Sequence, residues 1–366
     1  MKDNVQQMMS RVRQKQLIIN IPPYLPLDER KLMGVMTVLG EINPNNLGVT
    51  LPHEHVLINC IQSWYQPSPI GEAPVSMEIL GLLRRNQCIN KDNLVLEEKD
   101  AIPELMKYKA AGGQSLVELS EDGAGRDPQA LKKISAETGL NIVCATGWYL
   151  HECHPSYVSR MSVDELSDIM VKELTEGIGD SGIRAGVIGE LGTTEPLHPD
   201  EKKVLQAAAK AQSETGAALT IHPARKKGEE YVDIIENDAV LDKVYLSHAD
   251  AEIDLNYHRR LLERGINIEY DLFGLDTAYS DDIYPGAGGV SDNQRADGLI
   301  ELCKEGYEKN VMISQDTAQK IQLVKYGGFG YAHILQNVIP ILKHKGLSEF
   351  QIRTIIIENP KRILSR

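Results

Sequence analysis

The chain has 366 residues, with 39 Lys or Arg against 52 Asp or Glu, so its formal net charge is −13. Hydrophobic residues make up 42% and charged residues 25%, which excludes a disordered or collagen-like chain. The acidic balance also argues against a nucleic-acid partner, because such binding needs clustered positive charge. The longest apolar stretches, such as Val338–Leu342, are far shorter than the ~20 residues that cross a bilayer, so no membrane partner is expected.

The first 34 residues differ in character from the rest. The segment MKDNVQQMMSRVRQKQ is polar and lacks the apolar core of a secretory signal. Prolines at positions 22, 23 and 26 form a stiff, extended linker. We therefore predict an N-terminal arm with a Pro-rich linker over residues 1–34 and a single domain over 35–366. The five cysteines are widely spaced and form no CxxC pair, so we expect no disulfide framework and a cytoplasmic location.

Short β-branched runs alternate with longer helical segments from residue 35 onward. Helical periodicity marks residues 127–137, 162–177, 199–214, 231–237, 257–264 and 293–305. Ser162 to Glu165 is typical of a capping box, and Gly139 and Gly216 are typical helix ends. The runs predicted as strands are Leu47–Leu51, Ser115–Leu119, Asn141–Ala145, Ala185–Gly189, Ala218–Ile221, Lys243–Ser247, Ile266–Tyr270 and Val311–Ser314.

Eight strands that alternate with helices indicate an α/β fold, and eight is the number that closes a (β/α)8 TIM barrel. An open doubly wound sheet is the alternative. No GxGxxG motif follows the first strand, so the dinucleotide-binding form of that fold has no support. We therefore predict a TIM barrel with an N-terminal extension.

Side chains that can bind metal occur at the carboxyl ends of five of these strands. A barrel brings those ends together, and barrel enzymes have their active sites there. A lone histidine or aspartate at a strand end is usually a core or capping residue, but six together indicate a divalent-metal centre. The predicted metal ligands are His53, His55, Glu190, His222, His248 and Asp316.

The sequence resembles the phosphotriesterase family of the amidohydrolase superfamily from Val35 to Leu364. The motifs that carry the resemblance are LGVTLPHEH, GRD, ATGWY, VIGELGT, IHP, LSHAD, ISQD and YGGFGY. The run from AGGQSLVELS to ATGWY and the tail YGGFGYAHILQNVIP resemble the branch of phosphotriesterase-related and resiniferatoxin-binding-like proteins. The resemblance implies a binuclear metal hydrolase on a TIM barrel with a small-molecule substrate. A homodimer is the candidate assembly.

The resemblance also implies a role for each predicted ligand. His53, His55 and Asp316 would hold the more buried ion, and His222 and His248 the more exposed one. Glu190 would bridge the two ions where the founding phosphotriesterases carry a carboxylated lysine. Nitrogen and carboxylate ligands suit Zn²⁺, Mn²⁺ or Co²⁺, and zinc is our first expectation.

The implied mechanism uses a hydroxide that bridges the two ions and attacks the substrate. Asp316 would be catalytic as the proton shuttle to the leaving group. Tyr149, in ATGWY, matches a tyrosine that lactonase relatives hold over the metals. It would donate a hydrogen bond to the hydroxide or the substrate, and the alternative is an aromatic residue at the rim of the site.

Substrate recognition is expected from the loops that follow the strands. Arg225 comes three residues after His222 and suits a carboxylate, sulfonate or phosphate, although a solvated loop is the alternative. Leu272 stands where lactonase relatives have an arginine, which weakens a lactonase interpretation. Residues Ala278–Ser291 are predicted to form a lid or rim. Arg126 and Asp127 are predicted to have structural roles.

These features predict a hydrolase that cleaves a small, anionic carboxylic ester, lactone or amide, for example an N-acyl amino or sulfonic acid. Animal members of the branch are associated with hydrolysis of acylated taurine. A phosphotriester or phosphodiester hydrolase is the first alternative, and Glu190 in place of lysine disfavours it. A non-catalytic ligand-binding protein is the second, and the intact set of ligands disfavours that.

Overall fold

Eight parallel strands form the centre of the computed structural model, which describes residues 34–275 and 289–366. Each strand pairs with the next along the chain, from β1 to β8. The predicted (β/α)8 TIM barrel is thereby confirmed. The strands are β1 (Thr50–Glu54), β2 (Ser115–Glu118), β3 (Asn141–Thr146), β4 (Val187–Gly192), β5 (Ala218–His222), β6 (Val244–Leu246), β7 (Asn267–Tyr270) and β8 (Val311–Ile313).

Helices surround the barrel and connect its strands. They are α1 (Glu98–Ala110), α2 (Pro128–Thr138), α3 (Val163–Thr175), α4 (Pro199–Thr215), α5 (Gly228–Ile235), α6 (Leu255–Glu263) and α7 (Asp292–Lys304). The predicted capping box at Ser162 and the left-handed ends at Gly139 and Gly216 are present. The C-terminal segment is helical over Ile334–Val338, Ile339–His344, Glu349–Arg353, Thr354–Glu358 and Asn359–Leu364, with π-helical turns in the first and fourth stretches.

Smaller elements are also present. A hairpin pairs Val35–Thr37 with Gly40–Ile42, and a second two-stranded sheet pairs Ile58–Asn59 with Val95–Leu96. Short helices occur at Ile61–Trp64 and Leu80–Arg85. The first barrel strand starts three residues later than the predicted run at Leu47, because a 3-10 turn over Pro44–Asn46 ends at that leucine.

Two apolar layers hold the barrel, because successive residues of a strand point to opposite faces. One layer fills the interior and includes Val117, Val143, Ala145, Val187, Ala218, Tyr245 and Met312. The other lies between the strands and the helices and includes Leu116, Ile142, Cys144, Ile188, Leu219, Leu246 and Ile268. Since the interior is packed with side chains, a ligand can reach the barrel only at its ends.

Side chains join the first and last strands. The hydroxyl of Ser314 accepts a hydrogen bond from the backbone N–H of His53 (3.2 Å) and lies 2.8 Å from Oε1 of Glu54. The Glu54 carboxylate also accepts the backbone N–H groups of Gln315 (3.0 Å) and Thr317 (2.9 Å). Glu54 is fully buried, so a carboxylate closes the barrel between β1 and β8.

Several sequence predictions concern residues outside the described ranges. The predicted arm, apart from Gly34, and most of the predicted lid lie there, so the boundary at residue 35 stays a prediction. All five cysteines are described, and each is buried and unpaired, as expected. Within residues 34–275 and 289–366, no helix combines the length and apolar character needed to span a bilayer.

Buried His258 predicts a loss of stability in acid. Its Nε2–H donates to the carbonyl oxygen of Ala249 (2.8 Å), and Nδ1 accepts from the hydroxyl of Tyr270 (2.9 Å). Burial lowers the pKa of His258 from 6.5 to about 4. The unfolded chain therefore binds more protons between these pH values, and folding stability falls as the pH drops through that window.

The His258→Gln variant isolates this contribution because glutamine does not titrate. Urea unfolding should show the wild type losing roughly 1 kcal/mol per pH unit relative to the variant between pH 6.5 and 4. Parallel pH profiles of the two proteins would contradict the assignment.

Candidate metal centre

The six predicted ligands converge at the carboxyl ends of the strands. Oδ1 of Asp316 lies 3.3 Å from Nε2 of His55 and 3.7 Å from Nε2 of His53. The second carboxylate, Glu190, lies 3.5 Å from Nε2 of His53 through Oε2. Its Oε1 lies 3.0 Å from Nδ1 of His222 and 3.0 Å from Nε2 of His248. Glu190 thus lies between His53 on one side and His222 and His248 on the other.

A buried carboxylate orients one imidazole from each group. Oδ2 of Asp271 lies 3.0 Å from Nδ1 of His53, and Oδ1 lies 2.9 Å from Nδ1 of His248. The hydroxyl of Ser120 similarly lies 3.0 Å from Nδ1 of His55. These contacts leave the Nε2 atoms directed toward the carboxylates of the site. Metal-binding histidines in proteins are commonly oriented through their second nitrogen in this way.

Sequence analysis missed Asp271 and its neighbour Glu269, whose Oε2 lies 3.1 Å from Nδ1 of His53. Both are fully buried at the end of β7. The available signal was two carboxylates two positions apart at the end of an apolar strand, which places both on one face.

The carboxylates and imidazoles of the site shift each other's pKa values. Burial alone would lower the pKa of His53, but the carboxylates of Glu190 and Asp271 raise it well above its usual value. Burial would raise the pKa of the Glu190 carboxyl, yet the three neighbouring imidazoles hold it well below its usual range. The carboxylates therefore favour positive charge at the centre of the site, and divalent cations can supply it.

The side chains present fit two divalent cations. The described residues offer two overlapping groups of ligand atoms in mutual reach, His53 with Glu190 and His248, and His53 with His55 and Asp316. His53 is common to both groups, and His222, which belongs to neither, has its Nδ1 3.0 Å from Oε1 of Glu190. Nε2 of His53 is fully buried and has no hydrogen-bond partner among the described residues, which is costly for a polar atom unless it binds a ligand. Imidazoles and carboxylates are ligands of zinc, manganese and cobalt.

The local backbone is shaped around the ligands. The pairing of β4 with β5 shifts register around Glu190, and the pairing of β1 with β2 shifts around His53. Such irregularities redirect side chains that a regular strand would point elsewhere. Gly189 has φ +102°, and a Cβ there would lie 2.3 Å from the carbonyl oxygen of Thr220, so only glycine fits before Glu190.

Left-handed backbone also concentrates at the site. In the described ranges, the non-glycine residues with positive φ are Arg225 (42°), His248 (54°) and Asp316 (47°). This conformation is unfavourable for side chains with a Cβ and tends to occur where function requires it. Two of the three are predicted ligands, and the third is the predicted substrate-binding residue.

A cavity of about 180 Å³ opens onto the ligands. Glu190, His222, His248 and Asp316 line it together with Tyr149. The hydroxyl of Tyr149 lies 3.3 Å from Nε2 of His222, so the tyrosine stands beside the centre, as its predicted role requires. A cavity of this kind suits a small molecule.

Arg225 lines the same cavity and is exposed. The adjacent lysines are both paired with acids: Lys226 Nζ lies 2.7 Å from Glu252, and Lys227 Nζ lies 3.0 Å from Glu195. Arg225 has no acidic partner among the described residues. It therefore contributes net positive charge to the cavity, whereas its neighbours do not.

Arg126 and Asp127 have the structural roles predicted for them. The guanidinium of Arg126 forms a two-pronged ion pair with Glu173 of α3, at 2.7 and 3.1 Å. Asp127 caps α2 by accepting the backbone N–H of Ala130. Leu272 is buried and lines the cavity where lactonase relatives have an arginine.

Comparison with known proteins gives two sets of relatives. N-acetyltaurine hydrolases from Salmo salar and Homo sapiens are each 38% identical, over 344 and 341 residues, with 90% of this chain and 97% of each relative covered. The crystal structure of a resiniferatoxin-binding protein from Rhodobacter sphaeroides is 35% identical with a TM-score of 0.87, covering 91% of this chain and 95% of that one.

The phosphotriesterase homology protein from Escherichia coli, complexed with phosphate in its active site, is 27% identical with a TM-score of 0.72, covering 87% and 99% of the two chains. The model of the phosphotriesterase family matches residues 33–364. These findings confirm the resemblance that the motifs indicated. The chain belongs to the phosphotriesterase family and is a hydrolase of that family.

Proposed function

We propose that this hydrolase is a divalent-metal-dependent amidase that cleaves N-acylated aminosulfonic acids such as N-acetyltaurine. The observation that carries the proposal is Arg225, a cation that lines the cavity of the ligand cluster and has no acidic partner among the residues that the structure describes. A sulfonate presents several oxygens, which suits a guanidinium. The relatives named N-acetyltaurine hydrolases, matched over most of both chains, support the same substrate class.

One cation would be held by His53, His55 and Asp316. The other would be held by His222 and His248, and Glu190 would bind both cations. Bound there, two divalent cations would polarise the amide carbonyl and make water a better nucleophile. Zinc is our first candidate. We also propose that the enzyme acts in the cytoplasm, as a homodimer, on a freely diffusing small molecule.

The protein's own residues then serve the reaction. Asp316 accepts the proton of the attacking water and returns it to the departing amine nitrogen, so that amide and water become a carboxylic acid and an amine. The hydroxyl of Tyr149 donates a hydrogen bond to the carbonyl oxygen, where negative charge develops. Arg225 holds the sulfonate and thereby fixes the position of the scissile bond.

Replacing Arg225 by alanine tests the proposal. We expect kcat/KM for N-acetyltaurine to fall by about 10- to 150-fold, which corresponds to the ~1.5–3 kcal/mol of a charge-assisted hydrogen bond. N-acetylethanolamine, its neutral analogue, should be nearly unaffected because it lacks the anion. Arg225→Lys should recover only part of the loss.

The matched control is Lys227→Ala, which removes an adjacent cation already paired with Glu195. That variant should not change the ratio of kcat/KM values for the charged and neutral substrates. If Arg225→Ala slows both substrates equally, Arg225 supports the loop and does not recognise the anion.

A further inference from the structure

The cavity has walls on two sides of the ligand cluster. Arg225 and Leu272 follow β5 and β7 and line one side. The opposite side, which we term the acyl half, is built from segments that follow β1, β2 and β8. Its residues include Ile58, Trp64, Gln87, Leu94, Glu121 and Gln319. If Arg225 binds the anion and the ligand cluster lies at the amide, the acyl group extends into this half.

Polar residues in the acyl half are buried and incompletely hydrogen-bonded. Gln87 is 1% exposed, and neither Oε1 nor Nε2 has a hydrogen-bond partner among the described residues. The same holds for Oε1 of Glu121, also 1% exposed, and for Oε1 of Gln319. Buried polar atoms in native proteins are nearly always paired. Three of these four atoms are acceptors, so a ligand that pairs with most of them must carry a hydrogen-bond donor.

An acetyl group has nothing to offer these acceptors, since its methyl group donates no hydrogen bond. The remaining wall of Ile58 and Leu94 is apolar and suits the carbons of an acyl chain. Burial and the charge of Glu190 raise the pKa of the Glu121 carboxyl well above its usual value, and a protonated carboxyl group still offers an acceptor oxygen. Glu121 and Glu190 line the same cavity, so a substituent on the carbon next to the scissile carbonyl can face Glu121.

We propose that the acyl half selects acyl groups that carry a hydrogen-bond donor on the carbon next to the carbonyl, either a hydroxyl or an amino group. Glu121 is the specificity-determining acceptor, and Gln87 adds to the same contact. The inference rests on the proposed function, since it concerns the other side of the same amide. The inferred substrates are amides in which a hydroxyacyl or aminoacyl group is joined to an amine that carries an anionic group, such as taurine.

Three conjugates of taurine with acyl groups of equal size test this inference. Propionyl carries a methyl group, glycolyl a hydroxyl and glycyl an amino group at the same position. We expect kcat/KM for the glycolyl or the glycyl conjugate to exceed that for the propionyl conjugate by about tenfold, the effect of one buried hydrogen bond. The faster of these two conjugates shows whether the enzyme prefers a neutral hydroxyl or a charged amino group as the donor.

Glu121→Met separates recognition from chemical reactivity, because electron-withdrawing acyl groups hydrolyse faster without any contact. The ratio to the propionyl conjugate should fall by about tenfold in this variant, and Gln87→Met should lower it in the same direction. Arg225→Ala is the matched control, since it weakens binding of all three conjugates and should leave the ratio unchanged. A ratio that persists in both methionine variants overturns the inference.

The outcomes distinguish this inference from the proposed function. If acetyl and propionyl taurine are cleaved but neither substituted conjugate is preferred, the inference about the acyl half is wrong and the amidase remains. If no taurine conjugate is cleaved, including the acetyl compound, the proposed function is wrong and the inference falls with it.

Discussion

Glu190→Gln should reduce hydrolysis by on the order of a thousandfold or more and leave the protein with fewer than two tightly bound divalent ions. Both carboxylate oxygens of Glu190 face donors of the cluster, Oε2 toward His53 and Oε1 toward His222 and His248. A neutral amide cannot offset the charge of two cations in a buried site. Elemental analysis of the purified protein and steady-state kinetics on N-acetyltaurine measure both effects.

Two further variants test whether the effect belongs to the ligand cluster. His55→Ala should also lose metal and activity, whereas Glu195→Gln, at an acid that pairs with Lys227, should lose neither. Activity should not depend on added bicarbonate, because a glutamate needs no carboxylation to supply two oxygens. A Glu190→Gln protein that retains two ions and normal turnover would refute its role as the bridge.

Glu54→Gln should destabilise the fold by about 3 kcal/mol and also weaken metal binding. The carboxylate accepts from Ser314 and from the backbone N–H groups of Gln315 and Thr317, across the junction of β1 and β8. A glutamine keeps one acceptor oxygen and directs an NH2 group against a buried donor. Because Asp316 lies between two of these contacts, the loop that carries it should loosen.

Urea unfolding measures the loss of stability, and Glu118→Gln is the matched control. Glu118 is equally buried, but the hydrogen bond from Val56 N–H to its Oε1 is long, at 3.4 Å. That variant should be destabilised distinctly less. Equal unfolding midpoints for Glu54→Gln and the wild type would show that the barrel does not need this carboxylate.

The convergence of the six candidate ligands could be predicted because strand ends are local features of the sequence that a barrel brings to one place. Each of the six lies within a few residues of an apolar run, and the alternation of runs with helices fixes which end they share. The number and order of the elements, with the residue types at the strand ends, were enough to predict this convergence. The structure accordingly brings His53 and Asp316 together although 263 positions separate them.

The supporting residues could not be predicted, because their roles depend on contacts between distant segments. Asp271 orients His53 and His248 because β7 lies beside β6 in the sheet and closure of the barrel brings β1 close to it. Glu54 lies between two candidate ligands in the sequence. Its carboxylate, however, accepts a hydrogen bond from the backbone of a loop some 260 residues away, which the sequence does not show. The acyl half, with Gln87 and Glu121, likewise forms from loops that are distant in sequence and meet only in the folded chain.

The pairing of Lys226 and Lys227 with acids has a kinetic consequence. With a net charge of −13, the protein as a whole repels an anionic substrate at long range. Arg225 can offset this only at close approach, within about 8–10 Å at physiological salt. If the substrate is the proposed anion, its capture should be a short-range event that added salt accelerates by screening the repulsion, while the contact with the guanidinium should determine how long the substrate stays.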